Sequence, residues 1–152
     1  MAELSEDERT TPIGLFNYAT SYWKAAKQLH KLKVKSTHPN APISFLYFHA
    51  IELYLKSFLR LHGIATAQLR SREYGHSYKI LSEKALEFGI SYDDEDIEVL
   101  SDLDTTDAVI RARYLRTGIL EGPAPEALDR TCKSLGNSVA DTLRKAGIPV
   151  RY

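Results

Sequence analysis

The sequence predicts an all-α protein, a single bundle of about five helices, and three observations predict it. Apolar residues recur at helical spacing, with Leu15, Ala19, Tyr22, Ala26 and Leu29 on one stripe. Helix punctuation is regular: Pro12, Pro42 and Pro125 stand at starts, and Gly63, Gly89 and Gly147 at stops. No segment alternates apolar and polar residues between hairpin turns.

The elements follow in order. Residues 1–11 are polar and read as a loose leader. Thr11 is placed to cap a helix whose first position is Pro12. That helix carries Phe16 and Trp23 beside its apolar stripe and Lys24, Lys27, Lys31 and Lys35 on its other face. It fades before the loop His38-Pro39-Asn40-Ala41-Pro42. A second helix runs from Pro42 to about His62 and is apolar around most of its circumference, from Ile43 to Leu61. Such a helix belongs at the centre of a fold or under a partner chain. Residues 64–75 form a polar connection with a short helical turn around Thr66 to Arg72. A third helix spans about His76 to Phe88. Acidic residues Asp93 to Asp96 suit a helix N-terminus, and a fourth helical region extends to about Leu115, with a break near residues 104–106. The last helix runs from about Pro125 to Ala146. The domain spans 12–148, with 149–152 as a tail.

Composition bounds the function. The chain has 152 residues, 43% apolar and 26% charged, enough for one core without metals or disulfides. Lys plus Arg total 20, as do Asp plus Glu, so bulk charge cannot hold it to nucleic acid. The single Cys132 excludes an intrachain disulfide and a Cys-rich zinc site, and a reducing cytoplasm is the expected location. Cys132 reads as a small packing residue rather than a nucleophile. The acidic N-terminus has no apolar run of the secretory kind, and no stretch reads as a membrane span. No Gly-rich phosphate loop, HExxH or GxSxG is present, and no cofactor or metal is indicated.

Charge is nonetheless segregated. Residues 20–84 hold eleven Lys or Arg and three Asp or Glu; residues 85–110 hold nine Asp or Glu and no Lys or Arg. Solvated faces would produce this, and so would a dimer, a protein partner or an anionic ligand.

Three constellations could carry chemistry. His49, Glu52, Lys56 and Arg60 share one face of the central helix. Either Glu52 pairs with Lys56 at a solvent edge, or the stripe lines a cleft in which Lys56 and Arg60 bind an anion. His76, in Tyr74-Gly75-His76-Ser77-Tyr78, is a structural helix-start residue or a contact to a neighbouring helix. Arg111, Arg113, Tyr114 and Arg116 could clamp phosphate, with Tyr114 stacking on a base; cations also collect at helix C-termini for structural reasons.

The run Phe48-His49-Ala50-Ile51-Glu52-Leu53-Tyr54-Leu55-Lys56, followed by Leu59, His62-Gly63, Gly75-His76-Ser77 and Leu81, resembles the HEPN domain (higher eukaryotes and prokaryotes nucleotide-binding). Arg113-Tyr114 is similar to the Arg-Tyr of a later helix in that family. The resemblance implies a helical bundle that forms a homodimer with a cleft at or near the interface. It also implies toxin–antitoxin or phage-defence roles, often with a nucleotidyltransferase-like partner protein. Catalytic members are metal-independent ribonucleases with an arginine and, four to six residues on, a histidine in a late helix. Here no histidine follows Arg111, Arg113 or Arg116. Arg70 and His76 fit that spacing but stand at the start of the third helix. The expected function is therefore a non-catalytic HEPN-like dimer binding a nucleotide, RNA or partner protein through Lys56, Arg111, Arg113, Tyr114 and Arg116, with His49 and Glu52 alongside. The alternatives are a ribonuclease using Arg70 and His76, and a protein-interaction adaptor that docks a basic partner on residues 93–107.

Overall fold

The computed structural model describes residues 2–75, 77–105 and 122–151. Among them the chain is all-α, with no strand and seven helices. These are α1 (Glu6–Arg9), α2 (Pro12–Leu32), α3 (Asn40–Leu61), α4 (Thr66–Leu69), α5 (Tyr78–Glu87), α6 (Asp94–Thr105) and α7 (Pro125–Lys145).

The sequence signals for starts and stops are realised locally. The Thr11 hydroxyl accepts from the Gly14 amide at 3.0 Å, and Ser77 accepts from Ile80, so α5 begins at Tyr78 rather than His76. Gly63, Gly89 and Gly147 all have positive φ. In each case the following isoleucine amide returns to a helix carbonyl: Ile64 to Leu59, Ile90 to Ala85, Ile148 to Leu143. This is the Schellman stop, and it turns each isoleucine back onto the core.

Two further boundaries differ from the sequence reading. Helix α2 ends at Leu32, where Lys33 adopts the left-handed region (φ 48). Helix α3 begins at Asn40, because Pro42 in its first turn forfeits only an amide that has no helical partner. The extension of the fourth helical region to Leu115 lies outside the described residues.

Helix α3 is the hub. Tyr47, Ala50, Ile51, Tyr54, Leu55, Phe58 and Leu59 are essentially inaccessible to solvent. Helix α2 makes the most extensive contact with it, followed by α7, with α5 on a further side. On α2 the buried positions are Phe16, Ala19, Thr20 and Ala26, while Leu15, Tyr22 and Leu29 are half-buried. The inward face is thus rotated from the expected stripe toward Phe16 and Thr20. That face meets Tyr54, whose hydroxyl bonds Thr20 Oγ1 at 2.8 Å and whose ring meets Phe16 edge-on at 5.4 Å.

Residues 6–9, read from sequence as part of a loose leader, form a capped turn that is tied to the bundle. Ser5 and Glu8 cap α1 reciprocally. Arg60 of α3 donates to the carbonyls of Asp7 (3.0 Å) and Thr10 (3.1 Å), which lack partners at the end of α1. Asp7 Oδ1 in turn accepts from the Thr66 amide at 2.7 Å. That bond caps α4, whose own N-cap Ala65 has no side-chain acceptor. It also holds the Asp7 carboxyl below the usual aspartate range, with Arg60 nearby adding to the effect.

Gly136 lets α7 lie close against α3. A Cβ there would stand 3.3 Å from Cζ and from the hydroxyl of Tyr54. Tyr54 is fully buried and bonded to Thr20, so it cannot yield. Gly136→Ala gains helix propensity of about 1 kcal/mol but meets an overpacking cost of about 1–3 kcal/mol. The expected net is a loss of about 1 kcal/mol, read as a lowered midpoint in thermal or urea unfolding.

Candidate functional site

The polar stripe on α3 divides into three environments rather than forming one row of available groups. Glu52 and Lys56 are joined at 2.7 Å, and their side chains are only 4% and 12% exposed. The pair predicted for a solvent edge is therefore made, but inside the bundle. One turn earlier, His49 packs edge-on against Tyr22 at 4.4 Å and parallel to Phe45 at 6.3 Å. One turn later, Arg60 is spent on the carbonyls of α1 and lies 3.8 Å from Asp7 Oδ1.

Chemically, this places a neutralised ion pair in the hub. A buried carboxylate keeps its charge cheaply only if a cation satisfies it; otherwise its pKa rises. Lys56 supplies that cation, so any anion reaching Lys56 competes with Glu52. Arg70 is exposed and pairs with Glu6 of α1. His76, Arg111, Arg113, Tyr114 and Arg116 lie outside the described residues. Of the residues singled out from sequence, the described structure brings together Glu52 and Lys56, with His49 a turn away, and puts Arg70 elsewhere.

The acidic span also separates into roles. Asp93 Oδ1 accepts from the Asp96 amide at 2.8 Å, and Asp96 Oδ2 accepts from the Asp93 amide at 3.3 Å. The two form a reciprocal cap on α6. Asp104 Oδ1 accepts from the Lys79 amide at 3.2 Å, at the start of α5. Asp94, Glu95 and Glu98 are exposed, and Glu95 pairs with Arg130 of α7.

Asp96 itself is 1% exposed. Its Oδ2 accepts from Ser134 of α7 at 2.7 Å, while its Oδ1 is buried without a hydrogen-bond partner. Beside it the Thr131 hydroxyl is also buried, close enough to favour the charged carboxylate but without a well-formed hydrogen bond. Loss of solvation pushes the Asp96 carboxyl above the usual aspartate range despite the bond from Ser134. The sequence placed Asp96 only as one of four acids at a helix N-terminus, within a span that could dock a basic partner. The available signal was its register: Asp96, Val99, Leu100 and Leu103 fall on one helical face, and the other three are core residues.

His30, His62 and Cys132 each have a defined setting. His30 lies 3.6 Å from Glu126, a carboxylate brought to it by the α2–α7 contact. The His62 Nδ1–H donates to the Phe58 carbonyl at 2.9 Å, and its ring packs on Phe58 and Phe88. Cys132 is fully buried, and burial drives its thiol well up. No group of three His, Cys, Asp or Glu among the described residues is arranged to hold a metal ion. No described helix is long and apolar enough to cross a membrane. One further concavity, absent from the sequence reading, opens between α2 and the C-terminal residues Pro149 and Arg151.

Comparison of the chain with family models, with curated proteins and with solved structures gives no match.

Two outcomes test these environments. Lys56→Met removes the ammonium bonded to the buried Glu52 carboxylate and should cost about 3–5 kcal/mol; Glu52→Gln combined with Lys56→Met should recover part of that in the same denaturation series. Asp96 has the opposite sign to a salt-bridged acid. Its raised pKa favours the protonated form in the folded state, so its stabilising share is present in acid and is lost as pH rises through the folded value. Asp96→Asn keeps an acceptor for Ser134 and offers an N–H to Thr131. The variant should gain stability relative to the parent as pH rises from acid to neutral, with no further change above.

Proposed function

We propose that this chain is a HEPN-like, non-catalytic binding module that acts as a homodimer and holds RNA. The observation that carries the reading is the surface of α2 and the residues after it. Helix α2 contains no acidic residue over its 21 positions. Lys24, Lys31, Lys33 and Lys35 are all exposed, and Lys27 lies over the Trp23 ring at 4.8 Å. A one-sign stripe on a neutral protein favours an anionic polymer over a neutral partner.

Three features support the HEPN-like, non-cleaving reading. The Ala-Ile-Glu-x-x-Leu-Lys pattern, Ala50 to Lys56, occupies the hub helix and supplies its internal ion pair. Arg70, the arginine of the spacing that fits a nuclease, is engaged with Glu6, and no histidine follows the arginines 111, 113 and 116. A defence setting in the cytoplasm, with a nucleotidyltransferase-like partner, accompanies this reading through the resemblance.

Purified protein mixed with total cellular RNA tests it. The expected result is retention of RNA without shortening. Affinity should fall with salt at about −0.7 in log–log slope per phosphate contacted on a single strand. Replacing Lys31, Lys33 and Lys35 with Gln should flatten that slope. Cleavage that disappears in His76→Ala would instead establish a ribonuclease and overturn the non-catalytic reading.

A further inference from the structure

The concavity between α2 and the C-terminal tail is built by two registers meeting. On α2, Ile13, Asn17, Thr20, Ser21 and Lys24 fall on one helical face. The tail leaves the Gly147 stop without helical structure, and its side chains alternate. Ile148 and Val150 pack on the core, whereas Pro149 and Arg151 line the cleft. The core contacts of Ile148 and Val150 thus fix where Arg151 stands.

The cleft has a volume of about 510 Å³, within the range of small-molecule sites. Its lining includes two cations, Lys24 and Arg151, and no acid. Among the described residues neither cation is paired with a carboxylate, in contrast to Lys56, Arg60, Arg70, Lys84 and Arg130, which all are. Asn17 adds an amide donor beside them, and the Ser21 hydroxyl bonds the Asn17 carbonyl, which steadies that turn. Ile13 and Pro149 supply an apolar wall. Thr20 is committed to Tyr54 and closes the floor.

We propose that this cleft binds a small organic phosphate monoester. Arg151 presents a planar fork suited to two phosphate oxygens, and Lys24 presents a compact second charge. A monoester carries close to two negative charges at neutral pH, which matches the two cations. The apolar wall takes the organic body that inorganic phosphate lacks. Lys24 belongs to both surfaces, but the proposal does not rest on the RNA reading, because Lys31, Lys33 and Lys35 do not line the cleft and Arg151 is no part of the lysine stripe.

The test titrates the full chain, labelled with ¹⁵N, with phenyl phosphate, inorganic phosphate and benzoate. Phenyl phosphate should shift amides within 13–24 and 148–151 and bind at least tenfold tighter than either of the others. Lys24→Gln with Arg151→Gln should weaken phenyl phosphate at least tenfold. Lys31→Gln with Lys33→Gln removes the same charge elsewhere and should leave it unchanged. All four positions are exposed, so the variants are expected to fold, and their amide spectra verify it. No shift at 10-fold excess over millimolar protein, shifts spread over the lysine stripe, or equal weakening by both double variants would each overturn the proposal. Equal binding of benzoate and phenyl phosphate would overturn its phosphate specificity.

Discussion

A helix that is apolar on nearly every side cannot face water, and α3 imposes that constraint on everything around it. Burying a large apolar side chain is worth about 1.5–3 kcal/mol, and α3 carries Ile43, Tyr47, Phe48, Ile51, Leu53, Tyr54, Leu55, Phe58 and Leu59 in the core. Helices α2, α5 and α7 each cover part of its circumference. The polar groups it carries into that setting must then be satisfied internally. Glu52 takes Lys56, Tyr54 takes Thr20, and Ser57 donates to the Pro12 carbonyl at 2.7 Å. The ion pair in the hub is thus a consequence of where the helix lies, before it is anything functional.

The same hub reaches outward through Arg60. Its guanidinium terminates α1, α1 positions Asp7, and Asp7 caps α4. A charged residue on the central helix thereby orders two short helices that have little core of their own. Arg70 adds a surface pair to the same segment through Glu6, of the exposed kind that contributes little on its own.

What could be read from sequence was the local chemistry. Thr11 capping α2 and the stops at Gly63, Gly89 and Gly147 depend on residues a few positions apart, and all stand where the pattern placed them. The i,i+4 pairing of Glu52 with Lys56 was legible for the same reason; its burial was not, since that depends on which helices close over it. Asp7 with Thr66, Asp96 with Ser134 and Trp23 with Asp129 join residues far apart in sequence. Pattern reasoning along one helix cannot pair them. The cleft on α2 escaped for a related reason: two of its seven lining residues, Pro149 and the cation Arg151, belong to a tail read only as an ending.

Cys132 carries a final consequence. Its sulfur lies 3.8 Å from the Tyr47 carbonyl at the seam of α3 and α7, and it is the chain's sole thiol. A thiol reagent meets it only when that seam parts, so its modification rate is a clock for opening of the hub. The intact molecule is, in the same stroke, a blank background: a cysteine placed on the surface becomes the one site that an alkylating dye or spin label finds while the bundle stays closed.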